Sequence, residues 1–229
     1  ELLGQNNISF GGAGLNDTTA CGPSMIYHNG IPIAFLGSSD INGEDSGDGC
    51  EPSLTAGPES PGLCGLTEEN ISSQISDVLT ISDSLLVIYQ MHTGYEYSFE
   101  PERETISSFE DEYYNPFYTE PSERSIAMAH HAIDEGASIV IQHHPHVLQG
   151  LEFYNGKLIA HSLGNFVFDQ NFSETFPSII LNAEYDEAGF FGYQIVPIYL
   201  HYYLPQIATG NLANYILDFM AMKSRKLNT

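Results

Sequence analysis

Positive charge is scarce in this chain of 229 residues: six Lys and Arg stand against thirty Asp and Glu, a formal net charge of −24. A surface of that sign repels nucleic acid and anionic lipid headgroups. It also argues against a broad basic cradle for a polyanion, so a phosphate would have to be held by metal ions or backbone amides. Such a charge fits a chain working in salty water, where counterions screen self-repulsion. Long apolar runs are missing too. Nothing approaches the roughly 18 consecutive apolar residues that a membrane-spanning helix needs. Cysteine is sparse: Cys21, Cys50 and Cys64 are odd in number and form no CxxC pair. Cys50 and Cys64 flank a loop and can bridge outside the cytoplasm, and a free thiol is equally open. The opening "ELLGQNNISF" has no initiator Met, no basic leader and no signal-peptide core. It reads as the end of a helix feeding a strand, "ISFGG", so the chain is expected to be a fragment whose N-terminal part precedes Glu1.

What is present is ample apolar material, 42% of residues, enough for a real core in one large domain over 1–229. Residues 24–36 read as two strands joined through Asn29-Gly30, the strongest short hairpin signal. Residues 39–66 are loop by composition, a surface insertion, and 98–118 are acidic, aromatic and irregular, a second one. Glu44, Asp45 and Asp48 in the first do not match an EF-hand spacing. Residues 67–80 suggest a helix capped by Thr67, with Glu68 and Glu69 at its positive end. "SLLVIYQM" at 84–91 is an apolar run of strand length, the mark of a strand covered on both faces. Residues 122–136 carry Ile126, Ala129 and Ile133 on one helical face, with Gly136 as the stop. "ASIVIQ" at 137–142 is a second buried strand. Helix then strand, repeated, is βαβ order and implies an α/β fold with a largely parallel sheet. A hairpin turning at Asn155-Gly156, strands over 178–185 and 190–200, and a closing helix over 211–226 complete the chain. No internal repeat is visible.

Both buried strands run into histidine: the first into His92, the second into His143, His144 and His146 of "HHPHV". In open α/β sheets ligands gather beyond the carboxyl ends of the strands. Pro145 ends the ladder there, so its flanking histidines are expected in an outward turn. Neutral imidazole is a good ligand for zinc, iron, nickel and manganese. Convergence of His92, His144 and His146 on one cation is therefore the sharp expectation. Isolated strand-end histidines are more often structural. His130 and His131 are expected at the helix surface, and His28 and His201 in structural roles. In "HSLGNF", Gly164 permits close backbone approach and Asn165 can fix the histidine loop or bond a metal-bound group. Ser162 sits in no GxSxG elbow and is not a nucleophile candidate. Glu96, four residues past His92, can accept from a ligand imidazole.

"HTGYEY" (92–97), the 132–169 segment containing "HHPHV" and "HSLGNFVFD", the ending from "IATGNLANY" and the opening "NNISFGGAG" closely resemble the CapA family of capsule and poly-γ-glutamate synthesis proteins. That family is similar to the calcineurin-like metallophosphoesterases. The resemblance implies an α/β fold of the four-layer type, a β-sandwich of mixed sheets flanked by helices. It implies two divalent ions, Mn, Fe or Zn, with His92, His144 and His146 among their ligands. His143 would act in proton transfer, and Glu96, Asn165 and Asp169 would support the site. Such an ion pair, about 3.5–4 Å apart, acidifies water and stabilises a leaving group. The substrate class implied is a phosphoester or an amide of an anionic polymer, with other capsule-synthesis proteins as partners and the cell envelope as location. Gln142 stands where the family usually has Gly, and Thr93 replaces an aromatic residue; neither removes a ligand. The family's first ligands, an Asp and an Asn-His pair, are expected ahead of residue 1. This piece alone should then hold at most one ion weakly and show negligible activity. The rival expectation is a non-catalytic accessory protein that binds polymer or biosynthetic partners.

Overall fold

The computed structural model describes residues 2–40, 54–82, 85–96, 120–170, 173–186 and 189–229. It divides into two compact units, residues 1–93 with 127–141, and 94–126 with 142–229. The acidic cluster at 44–48, Cys50 and the 98–118 segment lie outside the described residues.

The first unit is built on a parallel strand pair and its crossover helix. Strands β2 (Ser24–His28) and β3 (Ile31–Ser39) form the expected hairpin, antiparallel with His28 opposite Ile31. Its turn takes left-handed backbone at Asn29 (φ 50°) and Gly30 (φ 83°), as a two-residue hairpin requires. Helix α3 (Glu68–Leu79) then carries the chain to β5 (Leu86–His92), which pairs parallel to β3 from Ile33↔Leu86 to Ser39↔His92. Thr67 caps α3 by accepting from the Asn70 amide, and Ile71, Ile75 and Val78 form its buried stripe. Strand β5 alternates: Val87, Tyr89 and Met91 are buried while Gln90 and His92 are exposed, so it is not sealed on both faces. Buried Gln74 of α3 accepts from the Tyr89 hydroxyl (2.6 Å) and donates to the Cys21 carbonyl (2.8 Å). Burial pushes the Tyr89 phenol well above its ordinary value.

Three expectations are corrected here. The opening "ISFGG" forms no strand; it follows helix α1 (Leu2–Gln5) as irregular backbone whose Gly12, at φ +83°, lies against Gly37 of β3. A side chain at Gly12 would sit 3.4 Å from the Gly37 carbonyl carbon. The end of the 39–66 loop is likewise not surface. Strand β4 (Gly62–Leu63) pairs with β1 (Ala13–Gly14), and the amides of Ser39 and Leu66 bond to the Cys64 and Ser39 carbonyls. Cys64 is buried there, bonded not to Cys50 but to Cys21 at the end of helix α2 (Asp17–Ala20), with Cα atoms 4.9 Å apart.

Helix α4 (Glu123–Glu135) runs across the unit boundary and ends at Gly136 (φ +120°). Its His131 is half-buried at the helix surface: Nε2 lies 2.9 Å from the Ser72 hydroxyl of α3. Ile126 is half-buried, while Met128, Ala129, Ala132 and Ile133 are buried. Strand β6 (Ile139–His143) follows; just before it the Ser138 amide bonds to the Val87 carbonyl of β5 (2.8 Å).

The second unit contains the hairpin β7 (Leu151–Tyr154) and β8 (Lys157–Ala160), turning at Asn155 (φ 49°) and Gly156 (φ 73°). A three-stranded antiparallel sheet follows, built from β9 (Pro177–Asp186), β10 (Gly189–His201) and β11 (Leu204–Ile207) in the order β11-β10-β9. Helix α5 (Gly210–Leu227) closes the chain. It protects the edge of β7: the Ser224 hydroxyl accepts from the Leu151 amide, and the Asn228 side chain accepts from Phe153 and donates to the Leu151 carbonyl. Lys223, 1% exposed, donates to Glu120 (3.0 Å), as does Lys226 (2.8 Å). Burial pushes the Glu120 carboxyl up, but the two lysines outweigh it and hold it below its ordinary value.

The Cys21–Cys64 bridge closes 43 residues of sequence separation. Chain entropy assigns such a loop about 4 kcal/mol. Reduction, or Cys64→Ala, should lower unfolding stability by roughly 2–4 kcal/mol in denaturant titrations; equal stability with and without reductant would contradict the assignment.

Candidate functional site

The histidine turn begins where β6 leaves its ladder. His143 is exposed, His144 and His146 are half-buried, and Pro145 between them is buried. Both ligand candidates take positive φ, 105° at His144 and 59° at His146. Non-glycine residues held there cost on the order of 1–3 kcal/mol each and persist only where the surroundings over-determine them.

The surroundings are the "HSLGN" segment. The His161 amide bonds to the Gly150 carbonyl (3.1 Å), the Gln149 amide bonds to the Ser162 carbonyl (3.2 Å), and Leu148 bridges Leu163 antiparallel. The segment is itself held from behind, because the Leu163 carbonyl accepts from the Ile179 amide and the Ser178 hydroxyl of β9. Gly164 (φ +75°) makes that approach possible: a Cβ there would lie 2.8 Å from the Pro177 carbonyl oxygen. Asn165, 6% exposed, then reaches the turn. Its amide nitrogen donates to Gln170 (2.8 Å), which leaves Oδ1 toward His146 Nδ1, also at 2.8 Å. A carbonyl oxygen only accepts, so His146 Nδ1 carries a proton, and in the neutral ring Nε2 then carries the lone pair. This is the tautomer of a metal-ligating histidine whose other nitrogen is held by an outer partner.

Nε2 of His146 faces the Glu96 carboxylate at 3.9 Å. That is too long for a hydrogen bond. An imidazole lone pair opposite a carboxylate suits a proton or a cation between them, and nitrogen plus oxygen donors suit a borderline divalent ion. The His144 ring lies 6.1 Å from that of His146, and the Phe168 ring covers His146 at 4.8 Å. Gly94 (φ +102°) packs against Pro145 and Ser125, setting the backbone that leads to Glu96.

The predicted residues thus fall as follows. Glu96, His143, His144, His146, Asn165 and Asp169 all belong to the second unit; Asp169 is exposed on the Asn165 loop. His92 belongs to the first unit, exposed at the end of β5, with Nδ1 3.4 Å from the Ser39 hydroxyl. Thr93 beside it is buried and donates to Asp40 (2.6 Å). Among the described residues, no three His, Cys, Asp or Glu side chains form a group able to hold a metal; His146 with Glu96 is a two-donor arrangement.

Sequence reasoning missed a buried network behind the turn. His161, 0% exposed, has Nδ1 2.8 Å from Gln142 Oε1 and Nε2 2.8 Å from Glu152 Oε2. Gln142 in turn donates to the Ser125 carbonyl (2.6 Å). The available signal was Glu152, an acidic residue at a buried position of a short hairpin strand.

These features define a mixed α/β protein whose candidate site is a histidine turn clasped by an Asn-bearing loop. The model for the bacterial capsule synthesis protein family PGA_cap matches residues 1–111 and 113–170. The chain belongs to that family. It is 31% identical over 173 residues to the PGA biosynthesis protein CapA of Bacillus subtilis, covering 76% of this chain and 38% of that one. It is 28% identical over 210 residues to the capsule biosynthesis protein CapA of Bacillus anthracis, covering 90% and 44%. The chain therefore spans less than half the length of these relatives. A crystal structure of a hypothetical protein from Thermus thermophilus aligns at 11% identity over 76% of this chain and 60% of that one; its TM-score of 0.38 carries no argument.

Replacing Asn165 by Ala leaves the Nδ1–H of half-buried His146 without this acceptor and removes the Gln170 link. Stability should fall by about 1–3 kcal/mol in denaturant melts; a loss near zero would show that the loop does not hold the turn.

Proposed function

We propose that this chain forms part of a metal-dependent hydrolase acting on phosphoester or amide bonds during synthesis of an anionic envelope polymer. The observation that carries it is the Asn165 oxygen held on His146 Nδ1, with Nε2 of the same ring 3.9 Å from the Glu96 carboxylate. In this reading His144 and His146 hold a divalent ion, Mn, Fe or Zn, with Glu96 beside them. His92 supplies a further imidazole as the resemblance to calcineurin-like metallophosphoesterases implies. Two ions would need more donors than these. When bound, such ions supply Lewis acidity toward a phosphoryl or acyl oxygen.

The chain's own residues do the rest. Asn165 keeps the Nδ1 proton of His146 in place, so that Nε2 stays basic toward a cation. Exposed His143 can deliver a proton to a departing oxygen or nitrogen, since a neutral-pH imidazole exchanges protons readily. Asp169 and Glu96 add negative charge that attracts cations. The net charge of −24 opposes direct grip on a polyglutamate or polyphosphate chain. Divalent ions bridging protein and polymer carboxylates would remove that conflict. The polymer named for the relatives, and a place at the cell envelope, come to this chain as parts of the proposal.

Calorimetric titration of the chain with Mn2+ and Zn2+ tests it. Weak single-site binding is expected, reduced more than about tenfold by His144→Ala or His146→Ala; His92→Ala tests that residue as the lone histidine ligand. In the protein as encoded, bis-p-nitrophenyl phosphate hydrolysis should require the metal and be lost in both turn variants. Binding unaffected by these substitutions would refute the site. Tight metal binding with no turnover of any phosphoester or amide would favour the non-catalytic accessory role.

A further inference from the structure

Three two-residue hairpin turns lie among the described residues, and all take the same left-handed backbone. Two use Asn-Gly: Asn29 and Gly30 (φ 50° and 83°), and Asn155 and Gly156 (φ 49° and 73°). The third, between β10 and β11, uses Tyr202 and Tyr203 (φ 49° and 67°), with His201 opposite Leu204. Asn and Gly reach that region at little steric cost, whereas bulky side chains there are strained outliers. The chain therefore gives up stability at this tip to hold two aromatic rings. Burial does not offset the loss: Tyr202 is 82% exposed, Tyr203 45% and Leu204 beside them 60%.

Charge marks the same place. Residues 188–217 contain no Asp, Glu, Lys or Arg, in a chain of net charge −24. The acidic side chains lie elsewhere in the sequence, so a basic protein would be drawn away from the tip. Strand addition by a peptide is disfavoured too. Strand β11 is the edge of its sheet, and the Ala208 amide bonds inward to the Pro197 carbonyl. Amides alternate along such a strand, so position 205 faces outward, and Pro205 has none to offer. The tip is also far smaller than the roughly 20–30 residues a side of a stable protein interface. Two exposed phenols backed by a leucine suit a zone that is wet on one side and apolar on the other.

We propose that the β10–β11 hairpin seats Tyr202, Tyr203 and Leu204 in the interfacial zone of a lipid bilayer. The hydroxyls stay among the headgroups, while the rings and Leu204 reach the upper acyl chains. No formal charge is carried down with them. Anionic headgroups repel the acidic remainder of the chain, so contact is confined to the tip and is weak and reversible. Salt screens that repulsion. Binding therefore strengthens as salt rises, the opposite of a basic lipid-binding patch. Neither the tip nor its test involves the histidine turn.

The chain contains no Trp, so Tyr202→Trp places a single fluorescent reporter at the tip. Its emission should shift to the blue on vesicles of phosphatidylethanolamine and phosphatidylglycerol, and lipids brominated high on the acyl chain should quench it. Tyr27→Trp, at a 73% exposed site on β2, should respond to neither. Giving the tip the turn used by the other two hairpins, Tyr202→Asn with Tyr203→Gly, should raise the thermal midpoint by about 2–4 °C. The same variant should lower the vesicle partition coefficient more than about tenfold. Emission at position 202 unmoved by vesicles, or a double variant that binds them as well as the unaltered chain, would overturn the proposal. So would a double variant no more stable than the unaltered chain, because the tyrosines would then cost nothing that needs a reason. Self-association lost in the double variant, without vesicle binding by the unaltered chain, would assign the tip to a second copy and overturn the bilayer contact.

Discussion

The candidate site depends on one grip: residues 161–165 hold the strained turn at 142–150 from both ends. Backbone bonds at Gly150 and Gln149, the His161–Gln142 contact and the His146–Asn165 contact act together. Without them, two non-glycine histidines would relax from positive φ to ordinary backbone. The turn would then present its imidazoles in no fixed direction. The strain therefore sits where the chemistry is proposed, and the hydrogen bonds that maintain it come from a segment anchored in turn to β9.

That anchoring explains the architecture of the second unit. Helix α5 seals the β7 edge through Ser224 and Asn228, and its lysines meet Glu120 just ahead of α4. In a chain with only six Lys and Arg, two are committed to one carboxylate. Few cations are left elsewhere for direct side-chain contact with an anion. The first unit uses different means: a parallel strand pair, a crossover helix with a buried Gln74–Tyr89 bond, and a disulfide that fastens the end of the 39–66 loop.

Much of this was legible in residue order. Asn-Gly marked both hairpins because those turns need left-handed backbone at two consecutive residues. Thr67 and Gly136 marked helix ends because caps and stops need their chemistry. His146 and Asn165 were visible as candidates because Pro145 and Gly164 announce turns. What failed depended on contacts distant in sequence. The Cys21–Cys64 pairing, the tie of Cys64 to β3, and the docking of His131 on Ser72 have no local signature. The irregular run at 8–12 reads in sequence as a strand fed by a helix end, but its glycines serve close backbone approach. His161 and Glu152 escaped because a buried hydrogen-bonded pair looks, one residue at a time, like two ordinary polar residues.

The account stands on His146 offering Nε2 to a divalent cation. Anomalous diffraction from crystals of the protein grown with Mn2+ tests that most directly. The expected result is a peak about 2.0–2.2 Å from His146 Nε2, with Nδ1 still bonded to Asn165. Bound Mn2+ confined to other places, with His146 Nε2 donating a hydrogen bond of its own, would contradict it.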